Sequence, residues 1–235
     1  LEYNFGYNGS ERFAAKQRYG YFPSVGVAWT LSNEKFFGKI KPIVNNLRLR
    51  ATYGLIGNDA IGSPSDRFFY LSNVDMNASI RGATFGNGLG AGSYLNGVNI
   101  SRYANEDITW EKSTKSNLAL EIGLFEKLKI TAEDYSEKRK NILMSRAAIP
   151  VTMGLTADIR ANVGEASGKG TDISFEYNQH VGQDFWIAAT GNFTYARSKF
   201  TVYEEPVYNE KYRSRIGHPI FQDYGLIAER LFVDD

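Results

Sequence analysis

The sequence predicts an all-β, antiparallel fold from three observations. Apolar residues recur at every second position in about seven segments, aromatic residues make up 14% of the chain, and 23 Gly stand beside only 6 Pro. A period of two sends alternate side chains to opposite faces of a strand, and aromatic and β-branched residues suit such a surface. Clusters of Gly, Asn and Ser between the segments supply the turns.

Taken in order, residues 1–7 place Leu1, Tyr3, Phe5 and Tyr7 opposite Glu2, Asn4 and Gly6. Residues 21–31 place Tyr21, Val25, Val27, Trp29 and Leu31 against Ser24, Gly26, Ala28 and Thr30. In LRLRATYGL, residues 47–55, Leu47, Leu49, Ala51, Tyr53 and Leu55 oppose Arg48, Arg50, Thr52 and Gly54. Residues 117–124 oppose Leu118, Leu120, Ile122 and Leu124 to Asn117, Ala119, Glu121 and Gly123. The next segment begins with Leu128, Ile130 and Ala132 on one side and then loses its pattern. Thr171, Ile173, Phe175 and Tyr177 against Asp172, Ser174, Glu176 and Asn178 form the cleanest alternation, and residues 185–198 close the series.

These runs of about 9 to 14 residues exceed the five or six usual in soluble sheets, and a strand crossing a bilayer at about 45° needs roughly 9 to 11. Connections alternate in length. Tight links follow Phe125 and His180, whereas about 57–107, 141–167 and 199–222 are long, polar and Gly-rich. Short turns on one side and long loops on the other are what an outer-membrane barrel shows, and a structureless loop of about 50 residues counts against a soluble domain. The link from Ser32 to Asn46 is longer than that rule expects. The fold class expected is therefore an antiparallel transmembrane β-barrel.

In that reading Tyr21 and Trp29, eight residues apart, span roughly 20 Å along the membrane normal and mark its two interfaces. Trp110 and Phe185 are assigned to the same aromatic girdles. Arg48, Arg50, Thr52, Glu121, Asp172, Glu176, Asn192 and Thr194 face a lumen. Arg67, Phe68, Tyr70 and Tyr94, in the longest loop, mix aromatic and polar groups as a solute-contacting surface would. Leu49→Arg is expected to disturb membrane assembly and Arg50→Leu to be mild.

Other chemistry finds little footing. A formal net charge of +1, from 27 basic and 26 acidic residues, gives no field for nucleic acid. Cysteine is absent, so no disulfide or thiolate metal site exists. No apolar run reaches the roughly 18 residues of a membrane helix. The mean hydropathy of −0.36 does not exclude a barrel, whose strands need only alternate apolar residues. Residues 86–93 lack the dinucleotide-binding spacing, and residues 164–171 miss the P-loop spacing by one. His180 and His218 are the only histidines, and neither has a second ligand at helical spacing. No enzyme, metal or cofactor is expected.

Several blocks carry a resemblance. FGYNGSERFAAKQRYGYFPSVGVAWTLSNEKFF (5–37), LRLRATYGLIGND (47–59), ITWEKSTKSNLALEIGLF (108–125), EKRKNIL (137–143), GNFTYARSKF (191–200) and GHPIFQDYGLIAERLF (217–232) occur in that order. Together they resemble the SusC/RagA-like TonB-dependent transporters of Bacteroidetes outer membranes. The resemblance implies a barrel of about 22 strands around an N-terminal plug, a SusD-like surface lipoprotein partner, and TonB acting through the N-terminal part, which these residues do not include. It implies import of an oligosaccharide or peptide solute without chemical change, with this chain an internal piece of the barrel. The alternative from another class is a soluble β-sandwich or small barrel acting as a glycan-binding or adhesion module, its apolar faces meeting each other instead of lipid.

Overall fold

The computed structural model describes residues 1–64, 66–86, 92–182, 184–228 and 230. Seven strands form one antiparallel sheet: β1 (Glu2–Gly9), β2 (Tyr19–Thr30), β3 (Val44–Asn58), β6 (Glu111–Leu124), β7 (Leu128–Ser145), β8 (Arg160–Val181) and β9 (Phe185–Val202). They pair in the order β1-β2-β3-β6-β7-β8-β9, and β4 (Asn73–Phe85) with β5 (Ser93–Arg102) form a separate two-stranded sheet inserted between β3 and β6. The main sheet is thus a meander in which strands adjacent in the chain are adjacent in space, the β4–β5 hairpin apart.

One end of the sheet carries the tight connections. Leu124 pairs with Leu128, and the Lys127 N–H donates to the Leu124 carbonyl. Phe125 and Glu126 both have positive φ, 55° and 57°, so the link has the twist of a hairpin turn without the usual Asn-Gly pair. Val181 pairs with Phe185 at the next turn, of which Gln183 lies outside the described residues. The β2–β3 link winds through two 3-10 turns, Leu31–Asn33 and Lys35–Lys39, which accounts for its extra length. The opposite end carries the loops at 10–18, 59–72, 103–110, 146–159 and beyond Val202.

The strands outrun the sequence pattern. β7 runs on past Ala132 to Ser145, and β8 begins at Arg160, so the segment at 141–167 shortens to a loop at 146–159. Their hydrogen-bond ladder continues where the alternation fades because both faces there are polar: Asp134, Ser136, Lys138 and Lys140 succeed Ala132 on one side, and Glu133, Tyr135, Glu137 and Arg139 lie on the other. The segment at 57–107 is not a structureless loop, since β4 and β5 occupy much of it. Within the Gly-rich run at 86–93, residues 87–91 lie outside the described residues.

The buried core is small and sits at the loop end. Pro23 has no N–H to give, and the β2–β3 ladder stops beside it at Ser24↔Gly54. Into the resulting wedge fold Phe13, Phe22, Ile61, Phe69, Ile108 and Trp110. The Trp110 ring lies 5.3 Å from Phe13 and 5.2 Å from Phe22, centroid to centroid. Gly57 is required there, because a Cβ at that position would collide with the Phe22 ring. Polar ties close the cap. Arg12 Nη1 donates to the Asp59 carbonyl at 2.7 Å, and the Trp110 indole donates to the Arg18 carbonyl at 3.2 Å.

Candidate functional site

Register places the polar face of the sheet without ambiguity. Arg48, Glu121, Thr131, Ser174 and Asn192 share one cross-strand row, and Arg50, Ala119, Glu133, Asp172 and Thr194 the next. Thr52 lies one row further toward the loop end, opposite Asn117, and Glu176 lies opposite Lys129 and Thr190 nearer the turn end. All eight residues assigned to a lumen from sequence therefore share a face. At its centre Arg50 holds two carboxylates, with Nε 2.7 Å from Glu121 and Nη2 2.7 Å from Glu133. Asn117 donates its amide to the other oxygen of Glu133 at 3.2 Å. The sequence pattern does not mark Glu133, because its own segment loses its alternation after Ala132.

The other face is apolar and uncovered. Leu49 is 37% exposed, Trp29 50% and Phe193 59%, values that a second sheet packed on this face, as in a sandwich, would drive toward zero. The row Trp29–Leu49–Leu120–Ala132–Ile173–Phe193 runs across six strands. The aromatic residues that bound this surface do not follow such rows. Tyr195 on β9 shares its row with Val27 on β2, whereas the bounding aromatic on β2, Tyr21, lies six residues nearer the loop end. At the turn end Phe193 shares its row with Trp29, and Phe185 lies eight residues further out.

Both boundaries therefore step in the same sense, by about one to two residues per strand, and enclose an oblique belt. One residue of stagger per strand corresponds to a tilt of about 36°, within the range of closed membrane barrels. The belt runs from Tyr21 to Trp29 on β2 and from Phe185 to Tyr195 on β9, eight to ten residues, or roughly 20 to 25 Å along the tilted normal. Tyr21, Trp29 and Phe185 are each about half exposed or more. Trp110 is not part of the belt: it is only 6% exposed and packs in the loop-end core. Its position just before β6 suggested a strand end at an interface, but the splay of β2 from β3 makes a pocket that its ring fills.

The loop-end residues assigned to solute contact are dispersed. Arg67 pairs with Glu11, and this holds the Glu11 carboxyl below its ordinary range. Phe68 has a φ of 51° and is half exposed, and the Tyr70 carbonyl accepts from the Asn105 N–H. Tyr94 belongs to β5, where its hydroxyl donates to the Ser79 carbonyl. A hollow of about 810 Å3 lies between the base of the hairpin and the loop at 156–160, and none of those four residues lines it. Asp66, Phe69, Arg102, Tyr103, Asn105 and Arg160 do. Arg102 lies 3.2 Å from Asp66 and stacks 4.4 Å over the Phe69 ring. The Ser63 backbone N–H and then Arg102 lower the Asp66 carboxyl pKa. Asn162 ties this region together, accepting from Thr109 N–H at 2.9 Å and donating to the Thr109 and Asn141 carbonyls. Such long-range ties between loops leave no periodic signal in a sequence.

Among the described residues no group of three or more His, Asp or Glu is placed to hold a metal ion, and no helix is long and apolar enough to cross a membrane. An apolar belt of bilayer height on one face and a charged, hydrogen-bonded opposite face define a wall segment of a transmembrane β-barrel. The comparisons agree. A family model described as TonB dependent receptor-like, beta-barrel matches residues 2–224, so the chain belongs to that family, whose receptors are outer-membrane proteins. It is 30% identical over 82% of its length to TonB-dependent receptor P3 of Formosa agariphila, and 27% identical over 83% to TonB-dependent receptor SusC of Bacteroides thetaiotaomicron. In a solved structure of the RagAB peptide transporter, one chain matches 85% of this chain at 25% identity with a TM-score of 0.66. The chain spans only 18% of the length of each of those two receptors and 20% of the RagAB chain.

Proposed function

We propose that this chain supplies part of the wall and outer loops of a TonB-dependent active transporter that brings an oligosaccharide or peptide nutrient across the outer membrane. Its working parts are the lumen face centred on Arg50, the loop-end hollow beside Arg102, and an outward belt that fixes the wall in lipid. A SusD-like surface lipoprotein is the partner at the loop end, and TonB acts from the periplasm. The solute passes unchanged, and Arg50, Glu121 and Glu133 shape the polar wall rather than perform chemistry.

The oblique aromatic-bounded belt is the observation that carries this reading, because only a bilayer crossed by tilted strands calls for an apolar stripe running across the pairing rows. Support for a peptide cargo comes from similarity to the RagAB peptide transporter, and the oligosaccharide class is what the resemblance to the SusC/RagA-like transporters implies. The test is uptake of defined peptides and oligosaccharides by cells carrying the full-length protein, with and without TonB, alongside detergent extraction. TonB-dependent uptake by a protein that needs detergent is expected. A protein soluble in buffer alone contradicts the membrane wall, and uptake that persists without TonB contradicts the mechanism.

A further inference from the structure

Beyond the belt, on its loop-end side, the outward face of β6 to β9 turns basic. Lys169 pairs directly with Arg197, Lys138 and Lys199 flank Ser167 in the next row, and Lys112 pairs directly with Lys140 in the row after. Like charges directly opposite one another are unfavourable in a sheet. Here two such pairs stand within three successive rows.

Local anions do not answer them. Glu165 reaches only Lys140, at 3.5 Å, and the Asp134 carboxylate accepts the Thr171 hydroxyl at 3.0 Å. Among the described residues Lys138, Lys169, Arg197 and Lys199 make no ion pair. With the hydroxyls of Ser136 and Ser167 they line a groove of about 390 Å3. At the turn end the same four strands finish in Leu124, Leu128, Val181 and Phe185, with no basic row.

We propose that this groove binds the phosphate-bearing headgroups of the lipid leaflet in which the loop end of the barrel sits. The inference rests on the membrane-wall reading above. The chemistry fits in two ways. The cations begin one row beyond Tyr195, where acyl chains give way to headgroups. Lysine and arginine stems can also lie along the apolar wall while their heads meet phosphate oxygens. Serine hydroxyls between the cations donate further hydrogen bonds to a phosphate.

The test uses the full-length protein in neutral detergent, with lipid A and dephosphorylated lipid A as probes and bound lipid counted by native mass spectrometry. Barrel integrity is followed by faster migration of unboiled protein on gels. The wild type should prefer the phosphorylated lipid by at least about tenfold, and salt should weaken that preference. Combined Lys169→Glu, Arg197→Glu and Lys199→Glu should abolish it while the unboiled shift persists. Should that variant misfold, the neutral pair Lys169→Gln and Arg197→Gln is expected to reduce it severalfold. An unchanged preference in a folded variant overturns the proposal, as does loss of a co-purifying lipoprotein with lipid binding intact. A wild type that needs no detergent and shows no unboiled shift refutes the membrane wall beneath it, which is a separate outcome.

Discussion

Two sets of aromatic residues in this chain do opposite jobs. Phe13, Phe22, Phe69 and Trp110 are nearly inaccessible and fill a wedge among loops, whereas Tyr21, Trp29, Phe185 and Phe193 stand about half exposed or more on an open sheet face. The first set is a core of the ordinary kind and needs nothing outside the chain. The second gains its stabilisation only from a surrounding apolar medium. Loop-end packing and wall insertion should therefore fail separately when each is attacked.

The largest effect expected is on the loop-end core. Trp110→Ala removes a buried indole that contacts Phe13 and Phe22 and should cost about 3 to 5 kcal/mol of local stability. Limited proteolysis of the loops at 10–18 and 59–72 should accelerate while membrane insertion is retained. Leu49→Arg, on the belt, should cost about 2 to 4 kcal/mol of insertion near the midplane, read as loss of the unboiled gel shift with no comparable change in the loops beforehand.

Arg50→Leu comes next. The sequence suggested a mild change, but Arg50 holds both Glu121 and Glu133, and its loss leaves two carboxylates facing each other across a partly solvated wall. A cost of about 1 to 2 kcal/mol follows, and the double variant Arg50→Leu with Glu133→Gln should recover part of it in urea titration.

The smallest effect is at Asp66. Its carboxyl pKa is lowered in the folded loops, so the contact with Arg102 contributes above the ordinary aspartate range of about 4 and is lost as pH falls through the lowered value. With both side chains partly exposed, Asp66→Asn should cost under about 1 kcal/mol at pH 7. The difference between variant and wild type should shrink as pH falls below the ordinary aspartate range of about 4, as measured by loop proteolysis.

The wall was legible from sequence because a strand with one wet face and one apolar face writes its geometry into a period of two. Residues 47–55 and 171–178 alone show it. Legibility ended where that contrast ended. Beyond Ala132 both faces of β7 are polar, so Glu133 and the far end of the strand carry no pattern although the ladder continues to Ser145. The loop-end core is hidden from the sequence for a related reason: a tryptophan at a strand end looks the same whether lipid or Phe22 receives it. What decides is Pro23, which ends the β2–β3 ladder and opens the wedge. The ties made by Asn162 and Arg102 join segments far apart in the chain, and no local spacing encodes them.

Alternate residues of β3 face lipid and lumen, and the absence of cysteine from these 235 residues lets that facing be measured with labels at chosen positions, any cysteine elsewhere in the full-length protein being replaced by serine. Single cysteines at positions 47 to 55 of the full-length protein in lipid bilayers, each spin-labelled, can be probed for collision with oxygen, which partitions into lipid, and with a water-soluble nickel chelate. Strict alternation is expected, with oxygen favoured at 47, 49, 51, 53 and 55 and the chelate favoured at 48, 50, 52 and 54. Uniform access by the chelate at all nine positions, or an alternation of the opposite sense, would contradict it.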